Sequence, residues 1–328
     1  MSLRIIVMKA FRSSGDAAIR ISAQPAYALD IPEGGRLLKS TVQLIRVKQW
    51  IKNGFVFVPL LFVFAIPSLS QITRCALGAL LFCFVSSSVY IMNDIFDVAK
   101  DRAHPIKRTR PIASGAVPIP VAYLLFGLLL ATSLVGAFFF DKVVAGIILA
   151  YFVINIAYTL FLKKLMFIDV FTISLGFILR LCAGFRILHK PVGESCNIWY
   201  ILFVMFLTLF IGIGKRCSEI KLLGNDSAGF RESLNGCSIA QLEQLIIMLM
   251  TCTIMSYAIF VYTSEIKALF TTAPVLMYGI FRYHFLNEKS TIAGSPELIV
   301  YKDRPMRACL LLWAVLFVSI CIVRSYTV

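Results

Sequence analysis

The sequence predicts an all-α polytopic membrane bundle of about nine transmembrane helices. Three observations predict it. Of 328 residues, 59% are apolar and only 15% are charged, where a soluble domain carries about 25% charge. Mean hydropathy is +0.85. Apolar runs also recur at the roughly 20-residue length that a bilayer demands. They continue almost to the C-terminus, so one compact bundle suits the length better than two domains.

Residues 1–35 are mixed and weakly patterned. Ile5 to Met8 is too short for a signal-peptide core, and no typical cleavage site follows it. This stretch reads as a flexible cytoplasmic extension, with the membrane domain at 36–328. Apolar runs then fall at 54–70, 75–95, 119–140, 143–162, 168–188, 198–214, 240–262, 266–284 and 306–325. Thr271, Thr272 and Pro274 interrupt the eighth.

The charges orient the bundle. Net charge is +15 with 32 Lys and Arg. With the N-terminus in the cytoplasm, the positive-inside rule sends 25 of the 32 to the cytoplasmic side. Six face the other side: Arg74, Lys142, Arg186, Lys190, Lys267 and Arg324. Arg180 is left inside an apolar run. Such charge serves anionic headgroups and membrane lipids, and nothing in the chain resembles a nucleic-acid module. The nine cysteines form no CxxC pair, so neither a disulfide framework nor a zinc site is expected.

This orientation gathers four polar segments on the cytoplasmic face: Lys48–Lys52, Asn93–Asp101, the Lys163 pair and Lys215–Glu219. A bundle builds a site between helices in this way. In Asn93-Asp94-Ile95-Phe96-Asp97-Val98-Ala99-Lys100-Asp101, the carboxylates at i, i+3 and i+7 fall on one face of a continuous helix. Acids at a membrane edge are costly and mark function. Mg²⁺ prefers oxygen ligands and is commonly held by one or two carboxylates plus substrate phosphate. Asn93, Asp94, Asp97 and Asp101 are therefore candidate metal-site residues, the three aspartates also serving catalysis.

Cations surround this cluster. Lys107, Arg108 and Arg110 follow within ten residues. Lys52 lies just before the first apolar run, beside Trp50, an interfacial anchor. Lys163 ends the fourth. Arg180, within an apolar helix, must face a partner or a polar cavity. Lys215, Arg216 and Glu219 end the sixth, where cations suit a phosphate. Tyr90 shares a helical face with Asn93 and is placed to hydrogen-bond a ligand. His104, His189 and His284 are scattered and form no metal set.

Asn-Asp-x-x-Asp-x-x-x-Asp at the end of a second membrane helix resembles the UbiA superfamily of intramembrane prenyltransferases. Members of that superfamily use the motif to bind Mg²⁺ and a diphosphate, and usually carry a second Asp-rich motif after the fifth or sixth helix. Here that place reads Gly214-Lys215-Arg216-Cys217-Ser218-Glu219, with cations instead. Together with Lys48-Gln49-Trp50-Ile51-Lys52-Asn53, Asp101 to Arg108, Arg110 to Gly115, Leu162-Lys163 and Leu179 to Gly184, it is similar to the decaprenyl-phosphate phosphoribosyltransferase branch. The resemblance covers about residues 40–325. It implies a UbiA-like fold in a bacterial inner membrane, with the active site facing the cytoplasm. It also implies phosphoribosyl pyrophosphate as donor, a polyprenyl phosphate as acceptor, and a lipid-linked pentose product, a precursor of cell-envelope glycans. On that resemblance Lys52, Tyr90, Lys107, Arg108, Lys163, Arg180, Lys215, Arg216 and Glu219 bind substrate. Two other classes remain open: transfer of a prenyl group to an aromatic acceptor, and a non-enzymatic lipid or small-molecule transporter.

Overall fold

The structure is a computed structural model that describes residues 33–62, 67–104, 107–189, 198–223, 238–289 and 302–327. The chain divides into two units, Met1–Lys39 and Ser40–Val328. Most of the predicted extension, residues 1–32, lies outside the described residues. The elements are α1 (Glu33–Ile45), a 3-10 segment (Val47–Phe62), α2 (Leu69–Phe96), α3 (Val98–Ala103), α4 (Ile119–Phe140), α5 (Lys142–Leu160), α6 (Ile168–Ile187), α7 (Ile198–Leu223), α8 (Ile239–Thr263), a 3-10 segment (Lys267–Thr272), α9 (Ala273–Lys289) and α10 (Arg304–Thr327). Short 3-10 turns occupy Lys107–Thr109 and Leu162–Lys164. The described residues contain no strand.

Among the described residues, seven helices are long and apolar enough to cross a membrane: α2, α4, α5, α6, α7, α8 and α10. Side-chain placement agrees with a bilayer. α4 is apolar along its length, yet of its residues only Ala122, Ser133 and Ala137 are buried. Leu124 and Phe139 are 72% and 82% exposed. Apolar surface of this extent belongs against lipid. The protein is an integral membrane protein.

The expected count of nine is not reproduced by continuous α-helices. The first predicted run, 54–70, overlaps only in part a 16-residue 3-10 segment, Val47–Phe62, that starts earlier and contains Pro59, and its last residues belong to the start of α2; proline removes a backbone donor and crowds a regular α-helix. The eighth is split into Lys267–Thr272 and α9, with Pro274 in the first turn of the latter. Tyr257 ties that junction to its neighbours: its hydroxyl lies 2.6 Å from Thr272 Oγ1 and accepts from Trp313 Nε1 at 3.0 Å.

Two caps are legible in the sequence. Ser68 and Gln71 form a capping box at the start of α2, and Ser238 with Gln241 forms one at α8, each satisfying orphan N–H groups. One buried cluster joins Val56, Phe82, Tyr151 and Ile187, packing the first 3-10 segment, α2, α5 and α6 together. A second joins Phe185, Tyr257, Phe317 and Leu269. A third links α6, α7, α8 and α9 through Val170, Phe210, Leu242 and Ile280. The first of these carries the candidate site at one end.

Candidate active site

α2 ends at Phe96 and α3 begins at Val98, with Asp97 at the break (φ −90°, ψ 7°). The helix does not run through the acidic cluster, so the expected single face is divided. Asp94 and Asp101 turn one way. Asp94, 2% exposed, accepts from Arg46 Nη2 at 2.5 Å and from Arg110 Nη1 at 3.1 Å. The same Arg110 nitrogen donates to Asp101 at 2.7 Å. Two buried carboxylates are thus neutralised by two half-buried arginines, which is what their burial requires.

Asn93 and Asp97 turn the other way, towards α5. Thr159 Oγ1 donates to Asn93 Oδ1. Lys163 Nζ donates to both oxygens of Asp97, at 3.1 and 3.4 Å. The two contacts sit four residues apart along each stretch of chain, the first between α2 and α5 and the second between the break at Asp97 and the Leu162–Lys164 turn, so the two stretches run in the same direction here. Asp97 and Lys163 are about one-third exposed (33% and 31%), and an exposed pair of this kind is weak and exchangeable.

This donor set can be tested against a divalent cation. Among the described residues, no three His, Cys, Asp or Glu side chains converge as a ready-made cage. Mg²⁺ does not need one when one or two carboxylates and substrate phosphate complete its shell. Asn93 and Asp97 supply hard oxygen donors with access to solvent, and they fit. Asp94 and Asp101 are occupied by arginine and stand behind them.

Arg180 is 5% exposed. Nε donates to Asn53 Oδ1 at 2.7 Å, Nη1 to the Gly176 carbonyl at 2.7 Å and Nη2 to Tyr151 Oη at 3.0 Å. Its guanidinium also lies 4.6 Å from the centre of the Tyr151 ring, a cation–π arrangement. All these partners are neutral. Among the described residues Arg180 has no carboxylate partner to compensate its positive charge. Asp169, which begins the same helix, pairs instead with Arg216 at 3.2 Å; the two are 2% and 5% exposed.

The other predicted residues are placed as follows. The Tyr90 ring lies under Arg46, 4.9 Å from its guanidinium carbon. Lys52 is half-buried on the first 3-10 segment, and Lys107 and Arg108 are exposed in their turn. Lys215 is half-buried on α7, with no partner among the described residues. The side chain of Glu219 lies outside the described residues. Arg46, Tyr151 and Thr159 have no signature of their own in the sequence, and Asn53 stands there only as the last residue of the Lys48–Asn53 string. Arg46 adopts φ +56° between α1 and the 3-10 segment, a conformation uncommon for a residue with a side chain. The available signal was the buried arginine itself, which demands acceptors from polar residues in neighbouring apolar runs.

The model of the UbiA prenyltransferase family matches residues 55–297. The chain belongs to the UbiA prenyltransferase family. Among its relatives, the decaprenyl-phosphate phosphoribosyltransferase of Mycolicibacterium smegmatis is 31% identical over 298 residues, covering 84% of this chain and 91% of the relative. The protein of that name from Corynebacterium glutamicum is 30% identical over 292 residues, covering 84% and 85%. The fold of this UbiA member resembles that of a UbiA homolog from Archaeoglobus fulgidus bound to GPP and Mg²⁺. The TM-score is 0.65 at 20% identity, covering 88% of this chain and 99% of that one.

Proposed function

We propose that this UbiA-family transferase moves 5-phosphoribose from phosphoribosyl pyrophosphate to a polyprenyl phosphate at the cytoplasmic face of a bacterial inner membrane, with Mg²⁺ bound and pyrophosphate released. The observation that carries the reading is the charge balance of the site. Asp94, Asp101 and Asp169 are neutralised by arginines. Asp97 is the accessible acid of its cluster, while Arg180 and Lys215 have no carboxylate partner among the described residues. A donor bearing a diphosphate and a 5-phosphate, meeting a phosphate acceptor, needs that excess of cation. A prenyl diphosphate needs less. The relatives named decaprenyl-phosphate phosphoribosyltransferase support the same choice.

In this reading Asn93 and Asp97 hold Mg²⁺, which when bound would neutralise the leaving diphosphate. Lys163 releases Asp97 and turns its ammonium to a donor phosphate. Lys52, Tyr90, Lys107 and Arg108 bind the rest of the donor, beside the positive field of Arg180. Lys215 holds the acceptor phosphate, with Arg216 and Glu219 alongside. The bound acceptor oxygen attacks C1 of the ribose as the C1–O bond to pyrophosphate breaks. The acceptor is already ionised, so no side chain need remove a proton. Fixing both reactants in line is the main contribution of the protein.

Purified protein in detergent, with Mg²⁺, labelled phosphoribosyl pyrophosphate and a polyprenyl phosphate, should pass label into the lipid fraction. A parallel arm with a prenyl diphosphate and an aromatic acceptor tests the other transfer. Label in that arm alone overturns the proposal, and Mg²⁺-independent binding without turnover in either arm returns the transporter reading.

A further inference from the structure

The 16-residue segment Val47–Phe62 holds 3-10 geometry far beyond the usual three or four residues. Its hydrogen bonds are poorer than those of an α-helix, so side chains must fix how it is turned about its own axis. With three residues per turn, Trp50, Asn53, Val56 and Pro59 stack on one face, and Asn53, Val56 and Pro59 are buried. Asn53 is the three-way joint. Its Nδ2 donates to Cys83 Sγ at 3.1 Å and Ser86 Oγ at 3.3 Å on α2, and its Oδ1 accepts from Arg180 Nε on α6 at 2.7 Å. Trp50 Nε1 donates to Ser87 Oγ at 3.0 Å one turn earlier. One turn later α6 comes so close that a Cβ on Gly184 would collide with the Val56 carbonyl oxygen.

Lys52 precedes Asn53 and therefore points about 120° away around the same axis. Whatever sets the rotation at Asn53 sets the direction of Lys52. Val56 and Pro59 supply contact but no directional bond, so without the Asn53 amide the rotation is held less sharply, and Arg180 loses a buried acceptor. We propose that Asn53 is a positioning residue that aims Lys52 at a donor phosphate by locking the 3-10 segment against α2 and α6. This rests on the reading of Lys52 as a phosphate ligand.

The test is a double-mutant cycle on donor kinetics, with Asn53→Ala, Lys52→Ala and the pair. Lys52→Ala should raise KM for phosphoribosyl pyrophosphate about tenfold, as loss of one charged phosphate contact does. Asn53→Ala should raise the same KM by a similar factor, with kcat changed less than about threefold. The double variant should be no worse than either single one. Asn53→Asp, which keeps the acceptor for Arg180, should recover part of the loss. Ser86→Ala serves where Asn53→Ala fails to fold; it should raise KM about twofold in the native chain and not at all beside Lys52→Ala. Multiplying effects in the double variant overturn the proposal, since Asn53 then acts independently of Lys52. A silent Lys52→Ala overturns instead the phosphate role of Lys52, and this proposal with it.

Discussion

Asp169→Asn isolates the energetics of the α6–α7 joint. Arg216 Nε and Asp169 Oδ2 lie 3.2 Å apart, with side chains 6% and 3% exposed. At an effective dielectric of about 20 their attraction is about 5 kcal/mol. Desolvation offsets most of it, so the pair adds little net stability over apolar residues of the same shape. Removing one partner is different, because the other charge stays buried. Asparagine keeps the bond that Asp169 Oδ1 accepts from the Val170 N–H at 2.8 Å, but it removes the charge and puts an amide N–H where Oδ2 accepted from Arg216 Nε. The expected cost is about 3–5 kcal/mol, a fall in the detergent unfolding midpoint on the order of 10 °C. Asp169→Leu with Arg216→Met should lose much less than the sum of the two single changes. Circular dichroism melts of the native protein, Asp169→Asn, Asp169→Leu, Arg216→Met and the double variant measure this. A loss below about 1 kcal/mol for Asp169→Asn, or simple additivity in the double variant, refutes the reasoning.

Further expectations follow from other contacts. Asp97→Asn should lower Mg²⁺-dependent transfer by about 100-fold or more, with helical content unchanged by circular dichroism; full activity would remove Asp97 from the metal site. Gly184→Ala forces a Cβ onto backbone and should cost about 1–3 kcal/mol, whereas Gly176→Ala meets Arg180 Nη1 and Tyr151 at an ordinary 3.4 Å and should cost little in the same melt. Asp303 is held below the usual carboxylate range by the Arg282 guanidinium and also accepts from the Met306 N–H at the start of α10. Its contribution is therefore complete above the ordinary aspartate value, near 3.9, and is lost as pH falls through its depressed value. Protection against hydrogen exchange at the start of α10, taken relative to the intrinsic rate at each pH, should fall on acidification, and Asp303→Asn should remove that pH dependence.

Much of the fold is written in hydropathy. Seven apolar runs became continuous helices because a segment in lipid must satisfy its own backbone. The two exceptions, Val47–Phe62 and Lys267–Lys289, read as apolar runs but carry no local mark of how tightly they wind beyond Pro59 and Pro274. The acidic cluster was legible as a candidate site, and its division was not. Asp94 and Asp97 are neighbours on paper, yet one belongs to Arg46 and the other to Lys163, 48 and 66 positions away. Arg180 showed that acceptors must exist; that Asn53 would be one, 127 positions away, follows only from how the first segment packs on α6.

The tight winding of Val47–Phe62 has a consequence for topology. Sixteen residues at about 2.0 Å each reach about 32 Å, against about 24 Å as an α-helix, so a stretch shorter than a standard span matches a bilayer core of about 30 Å. Among the described residues, counting the seven long α-helices gives seven crossings, and counting Val47–Phe62 and Lys267–Lys289 as well gives nine. Both numbers are odd, so both send α10 across the membrane in the same sense. They nevertheless assign opposite sides to each connection from the one after Asp97 to the one after α8. A membrane-impermeant thiol label on a cysteine placed at Ser114 separates the two maps, and with them the side of the membrane from which a water-soluble donor must arrive.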